Sequence, residues 1–200
     1  MKMPKWFNHV VRRVFNSLTR PGDKFSIVVP YLGKNVLELG CGSGTLIPLL
    51  ALESQYIGID FKSELITALK SQYTQYEFHC FNLDEEMWPD FTAYKPFSSI
   101  VLLAVIEHLK NPGAVLDHCQ ALMDSTSLLI ITTPTRAGEW VSSTFETMMG
   151  NPKHTCFDPH INIYQKYSLE ALAKANGLVL RRYQRLHWHR QNQLFLFQKM

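Results

Sequence analysis

The residues with most chemistry to offer are gathered in Glu38-Leu39-Gly40-Cys41-Gly42-Ser43-Gly44-Thr45. An apolar run, Asn35–Leu39, reads as a strand, and three glycines at alternate positions follow it. A helix is expected next, from about Thr45 to Glu53. Glycines let the backbone turn sharply there and let a ligand come close. Two ligand classes compete for such a bend. A dinucleotide site asks for G-x-G-x-x-G. Counting from Gly40, the last position of that pattern is Thr45; counting from Gly42, it is Ile47. The pattern present is E-x-G-x-G-x-G. A carboxylate two residues before the first glycine suits a ligand with a cationic amine and would repel a pyrophosphate. Asp60 stands sixteen residues after Gly44, at the end of the next expected strand. A carboxylate there can accept from two vicinal ribose hydroxyls, as in other doubly wound sheets, or simply cap a helix.

S-adenosylmethionine carries such an amine and no phosphate. Over roughly residues 33–198 the chain resembles the class I S-adenosylmethionine-dependent methyltransferases. Glu38–Gly44 is similar to that family's first motif, and Tyr56-Ile57-Gly58-Ile59-Asp60 to its second strand. Val105-Ile106-Glu107-His108-Leu109 is similar to the segment after its fourth strand, above all in small-molecule methyltransferases of the ubiquinone-biosynthesis type. Thr132-Thr133-Pro134 and His160-Ile161-Asn162 resemble the same branch. The resemblance implies S-adenosylmethionine as cofactor and S-adenosylhomocysteine as product. It implies a cofactor site of Glu38, Gly40, Cys41, Gly42, Gly44, Asp60, Phe61, Asn82, Leu83 and Ala104. Three departures stand out: Asn82 where an acid usually meets the adenine amino group, Ser98 for a frequent Asp, and Met123–Ser127 for a glycine-containing turn. An Asn side-chain oxygen can still accept that hydrogen bond. The departures make a catalytically degenerate, cofactor- or partner-binding protein the alternative to an enzyme.

A methyltransferase must align a nucleophile with the methyl donor and exclude water. A hydroxyl nucleophile also needs a base. His108 is the base candidate, because it follows the fourth strand and imidazole ordinarily titrates near neutrality. Glu107 is named with it as a catalytic residue; the pair could equally order the loop. His154, His160, Trp140 and Tyr164 are the substrate-side candidates, in an aromatic, Met-containing stretch that suits a hydrophobic or aromatic acceptor. The expected acceptor atom is an oxygen. No metal is expected, since Ala104 stands where some relatives place a third ligand.

Other elements must position these groups. Strands are expected at Tyr56–Asp60, Glu77–Phe81, Ser99–Ala104, Leu128–Thr132, Val179–Tyr183 and Gln193–Gln198. Helices are expected after a Ser63 cap to about Tyr73, from Asn111-Pro112 to about Met123, and after a Ser168 cap to Asn176-Gly177. Apolar strands alternating with helices indicate an α/β, doubly wound, mostly parallel seven-stranded sheet, Rossmann-like. Between the last two strands too little chain remains for a crossover, so the final strand should be antiparallel.

With 200 residues, 46% hydrophobic and 18% charged, a single domain with a sizeable core is expected. Its parts would be an N-terminal amphipathic helix or lid (1–32), a cofactor-binding core (33–134), a substrate-side lid (135–166) and a closing helix and strands (167–200). The helix at 5–18 carries Trp6, Phe7, Val10 and Val14 on one face and Arg12 and Arg13 on the other. It permits peripheral membrane contact, or packs on the domain. Net charge is +3, with basic ends (+5 over 1–24 and +5 over 176–200) around an acidic middle. No nucleic-acid partner is expected. Four scattered cysteines and no secretory signal suggest the cytoplasm.

Overall fold

The computed structural model describes residues 23–85, 87–135, 161–186 and 192–200. Seven strands form one sheet: β1 (Asn35–Leu39), β2 (Gln55–Asp60), β3 (Glu77–Cys80), β4 (Ser99–Leu103), β5 (Leu128–Pro134), β6 (Leu178–Leu186) and β7 (Asn192–Lys199). Their order is β3-β2-β1-β4-β5-β7-β6. The five strands from β3 to β5 are parallel, and β7 runs antiparallel to both β5 and β6. This is the expected doubly wound sheet with one reversed strand next to an edge. The order turns round between β1 and β4, and in open α/β sheets ligands bind outside the carboxyl ends of the strands at such a point.

The inner strands are buried on both faces because each is nearly all apolar. One face carries Leu37, Ile57, Ile100 and Leu102, covered by α2 (Pro112–Ala121) through Val115 and Leu116 and by α3 (Lys166–Ala175) through Leu169 and Ala173. The other carries Val36, Tyr56, Val101 and Ile130, with Ile66 and Leu69 of α1 (Ser63–Gln72) against it. Strand and helix periods thus place the two cores without further help.

Three local expectations are corrected. No α-helix follows the glycine bend; a single 3-10 turn, Ile47–Leu49, replaces the one expected over Thr45–Glu53. Pro48 lies in that turn, where it removes a donor and disfavours helix in the residue before it. Leu49 and Leu52 are exposed, so no apolar stripe holds a helix there. Ser63 is the first residue of α1 rather than its cap; the backbone N–H of Lys62 instead donates to Asp60 Oδ1 at 3.0 Å. Ser168 lies in the first turn of α3, and its hydroxyl pairs both ways with the Gln165 backbone. The remaining caps are as expected: Asn111 Oδ1 accepts from Ala114 N, and Gly177 takes φ +70° after α3. The N-terminal helix and most of the substrate-side lid fall outside the described residues. No described helix is long and apolar enough to cross a membrane.

Candidate active site

Between β1 and the 3-10 turn, Gly40, Gly42 and Gly44 all have positive φ, at +79°, +54° and +74°. The bend is anchored beneath by two backbone bonds, from Gly40 N and Cys41 N to the Ile59 carbonyl, at 2.7 and 2.8 Å. It is anchored in front by Asp60, whose Oδ2 accepts from Gly42 N at 2.9 Å. A side chain at Gly40 would overlap Val105, and one at Gly44 would press on Leu69 and Ile47. At Gly42 there is nothing within 4 Å of the place a Cβ would take. The middle of the bend therefore opens into free space, while its two ends are packed.

Asp60 is 8% exposed and closes β2. Its two oxygens accept from Gly42 N and Lys62 N, so one carboxylate joins the glycine bend to the start of α1. Each oxygen has a second lone pair for a ligand hydroxyl. Asp60→Asn is expected to lower stability by about 1–3 kcal/mol, because one backbone donor would then face an amide N–H. A urea denaturation series reads this, and an unchanged midpoint would contradict the clamp.

Glu38 is buried at the end of β1, and Tyr56 Oη donates to its Oε2. Burial, then the Glu38 charge, pushes the Tyr56 phenol well above its ordinary range, so it stays the proton donor. Burial, then Glu38 and Asp60, pushes the Cys41 thiol up as well. Cys41 is thus a neutral filler of the bend, not a nucleophile.

The other cofactor candidates lie along the same edge of the sheet. Phe61 is 54% exposed, next to Asp60. Asn82 is exposed just past β3, and its Oδ1 already accepts from Asp84 N at 3.1 Å. Leu83 is buried. Ala104 follows β4 with φ +60°, the one described non-glycine residue in the left-handed region, held by its N–H to the Thr132 carbonyl. Such strain in a non-glycine residue persists only where the surroundings dictate it, and it gathers at functional sites.

Beyond Ala104 the chain makes a 3-10 turn, Ile106–His108. Glu107 is completely buried. Its carbonyl accepts from Ile161 N and Asn162 N, both at 2.9 Å, and Asn162 Nδ2 donates to the Leu109 carbonyl. The E-H turn therefore holds the segment that leads to Tyr164. Tyr164 is buried, and burial followed by the Glu107 charge pushes its phenol up to about 12. His108 is half-buried, with Nδ1 shielded from solvent. Trp140, His154 and His160 lie outside the described residues. Among the described residues no three His, Cys, Asp or Glu side chains gather as a metal site would require.

Three positioning residues were not singled out as site residues by the sequence, and two of them belong to no motif. Asp84 Oδ1 accepts from Lys110 N and Asn111 N, tying the loop after β3 to the one after β4. Gln193 is buried; its Nε2 donates to the carbonyls of Pro134 and Tyr164, at 3.1 and 2.7 Å. Both bonds span dozens of residues, so no local spacing announces them. Tyr56 had a readable signal, since it precedes Gly58 by two and shares its face.

Comparison with known proteins agrees with this fold. The methyltransferase-domain family profile matches residues 9–183. A ubiquinone biosynthesis O-methyltransferase of Rhodopseudomonas palustris (strain HaA2) is 30% identical over 109 residues, 52% of this chain and 41% of that protein. A probable S-adenosylmethionine-dependent methyltransferase of Mycobacterium tuberculosis (strain ATCC 25618 / H37Rv) is 31% identical over 104 residues, 52% of this chain and 36% of that protein. The matches thus span about two-fifths of the length of these curated relatives. Among solved structures, magnesium protoporphyrin IX methyltransferase from Synechocystis PCC 6803 with bound SAH superposes with a TM-score of 0.62 at 16% identity, covering 96% of this chain and 83% of that one. The CcbJ methyltransferase from Streptomyces caelestis gives 0.70 at 12% identity, covering 90% and 95%. At these identities the likeness of the solved structures is one of fold. The sheet order, the glycine bend and the profile match over most of the sequence agree: the chain belongs to the methyltransferase-domain family.

Proposed function

We propose that the protein is an S-adenosylmethionine-dependent methyltransferase acting on an oxygen of a hydrophobic or aromatic small molecule. The observation that carries this reading is the glycine bend itself: open at Gly42, clamped to Asp60, and with a buried carboxylate, Glu38, just before it. A diphosphate would meet two carboxylates at this end of the sheet. A cationic amino acid joined to a ribose fits them.

When bound, S-adenosylmethionine supplies an electrophilic methyl group on its sulfonium. Glu38 would hold the cationic amine, and Asp60 the ribose hydroxyls, through the lone pairs left over from Gly42 N and Lys62 N. Gly42 would let the ligand lie against bare backbone. Asn82 would accept from the adenine amino group with the remaining lone pair of Oδ1, and Phe61, Leu83 and Ala104 would flank it. His108 would take the acceptor's hydroxyl proton on a ring nitrogen as the oxygen attacks. Glu107, wholly buried and holding residues 161 and 162 through its carbonyl, would keep that turn in place rather than touch substrate. Tyr164, beside Glu107, would orient the acceptor, with Trp140, His154 and His160 drawn from the neighbouring stretch. A cytoplasmic setting and, through the basic helix at 5–18, contact with a membrane surface belong to the same reading.

Calorimetry with S-adenosylmethionine, S-adenosylhomocysteine and NADH, followed by methyl transfer to a panel of phenols, tests it. Binding of the first two but not the third, with methylated product, is the expected result. NADH binding in place of S-adenosylmethionine would overturn it, and cofactor binding without turnover on any acceptor would favour a holding protein.

A further inference from the structure

Glu38 presents a problem that the glycine motif does not solve. It is 1% exposed, yet under the proposed reading it has to present a charge to the cofactor's amine. A buried carboxylate is costly unless hydrogen-bonded, and a Glu side chain has several rotamers to choose from. In the ladder Glu38 sits directly opposite Gly58. Tyr56 lies two residues earlier on β2, on the same face. Its ring is set by edge contacts with Tyr76 and Phe78, centroids 5.4 and 5.9 Å away. The hydroxyl end reaches forward over Gly58 to Glu38 Oε2, at 2.5 Å. A Cβ at residue 58 would stand 3.0 Å from Tyr56 Oη, 3.1 Å from Cys41 Sγ and 3.0 Å from Phe78 Cδ1. Gly58 has no positive φ to explain it. Its missing side chain is what lets the phenol cross the strand.

We infer that Tyr56 is a positioning residue for the ligand's cationic amine: across Gly58 its hydroxyl fixes the orientation of the Glu38 carboxylate. The inference rests on the proposed S-adenosylmethionine reading and deepens it. A pre-oriented charge binds an amine without first losing rotamer freedom. Removing the hydroxyl takes this one hydrogen bond from the carboxylate while the ring, and hence the packing, remains.

The test compares two ligands that differ at the amine end. Wild type, Tyr56→Phe, Glu38→Gln and the double variant are titrated with S-adenosylmethionine and with adenosine, which has the ribose and base but no amino acid. Tyr56→Phe should weaken S-adenosylmethionine about tenfold, the scale of one hydrogen bond to a charged group, and leave adenosine unchanged. In the Glu38→Gln background the same change should cost almost nothing. Equal loss for both ligands would mean a merely structural tyrosine and overturn the inference alone. Failure of wild type to bind either ligand would overturn the cofactor reading with it. Should Tyr56→Phe fold poorly, Gly58→Ala keeps the phenol but presses on its oxygen, and the same selective loss is expected; an unchanged S-adenosylmethionine affinity there would count against the inference.

Discussion

Gly40→Val is expected to leave a protein without measurable cofactor binding and with a much lowered urea midpoint. Two costs coincide at that position. The backbone has φ +79°, where an L side chain costs about 1–2 kcal/mol and a β-branched one is a genuine outlier. The new side chain would also run into Val105, and overpacking a filled site costs about 1–3 kcal/mol. Together these approach a large part of the roughly 5–15 kcal/mol that holds a domain folded. If the chain does fold, Val105 must move, and Val105 begins the turn that carries Glu107 and His108. Gly42→Ala is the matched control. Its φ is +54° and no atom lies within 4 Å, so only the backbone cost of about 1–2 kcal/mol applies. The fold should survive in Gly42→Ala, while the methyl group intrudes on the open part of the bend and weakens the cofactor. Equal unfolding midpoints for wild type and Gly40→Val would refute this account of the bend.

His108→Ala is expected to lower kcat by about 10²–10⁴-fold, the usual worth of a positioned general base. Cofactor affinity should barely change, because Glu38 and Asp60 lie on other strands. Two further readouts separate a base from a residue that only shapes the turn. Added imidazole should restore part of the rate. Phenols acidic enough to be ionised at the assay pH should lose far less than weakly acidic ones, since their oxygen needs no proton removed. A uniform loss over all acceptors, without rescue, would reassign His108 to positioning.

The sheet was legible because its signals are local and redundant. Apolar strands, glycines at alternate positions and an Asn-Pro helix start each dictate a conformation in a few residues. Elements that rested on one residue fared worse. Pro48 cuts short the helix expected after Thr45, and the cap positions of α1 and α3 belong to Lys62 and Gln165 rather than to Ser63 and Ser168. For the site, Glu38, Gly40, Gly42 and Asp60 could be read because spacing along β1, the glycine bend and β2 brings them together. Asp84 and Gln193 could not, because their partners lie in loops that only the folded sheet makes neighbours. The strain at Ala104 was equally hidden: nothing about an alanine in sequence announces φ +60°.

The place of β7 between β5 and β6 bears on how the chain is made. On a ribosome, residues 192–199 leave the exit tunnel after the other six strands of this sheet, yet they fill an inner slot of it. Until then one side of β5 exposes a row of unsatisfied backbone groups, a template for pairing with the wrong chain. The nascent sheet therefore passes through an adhesive stage, and it is β7, the last of its seven strands to be synthesised, that brings it to an end.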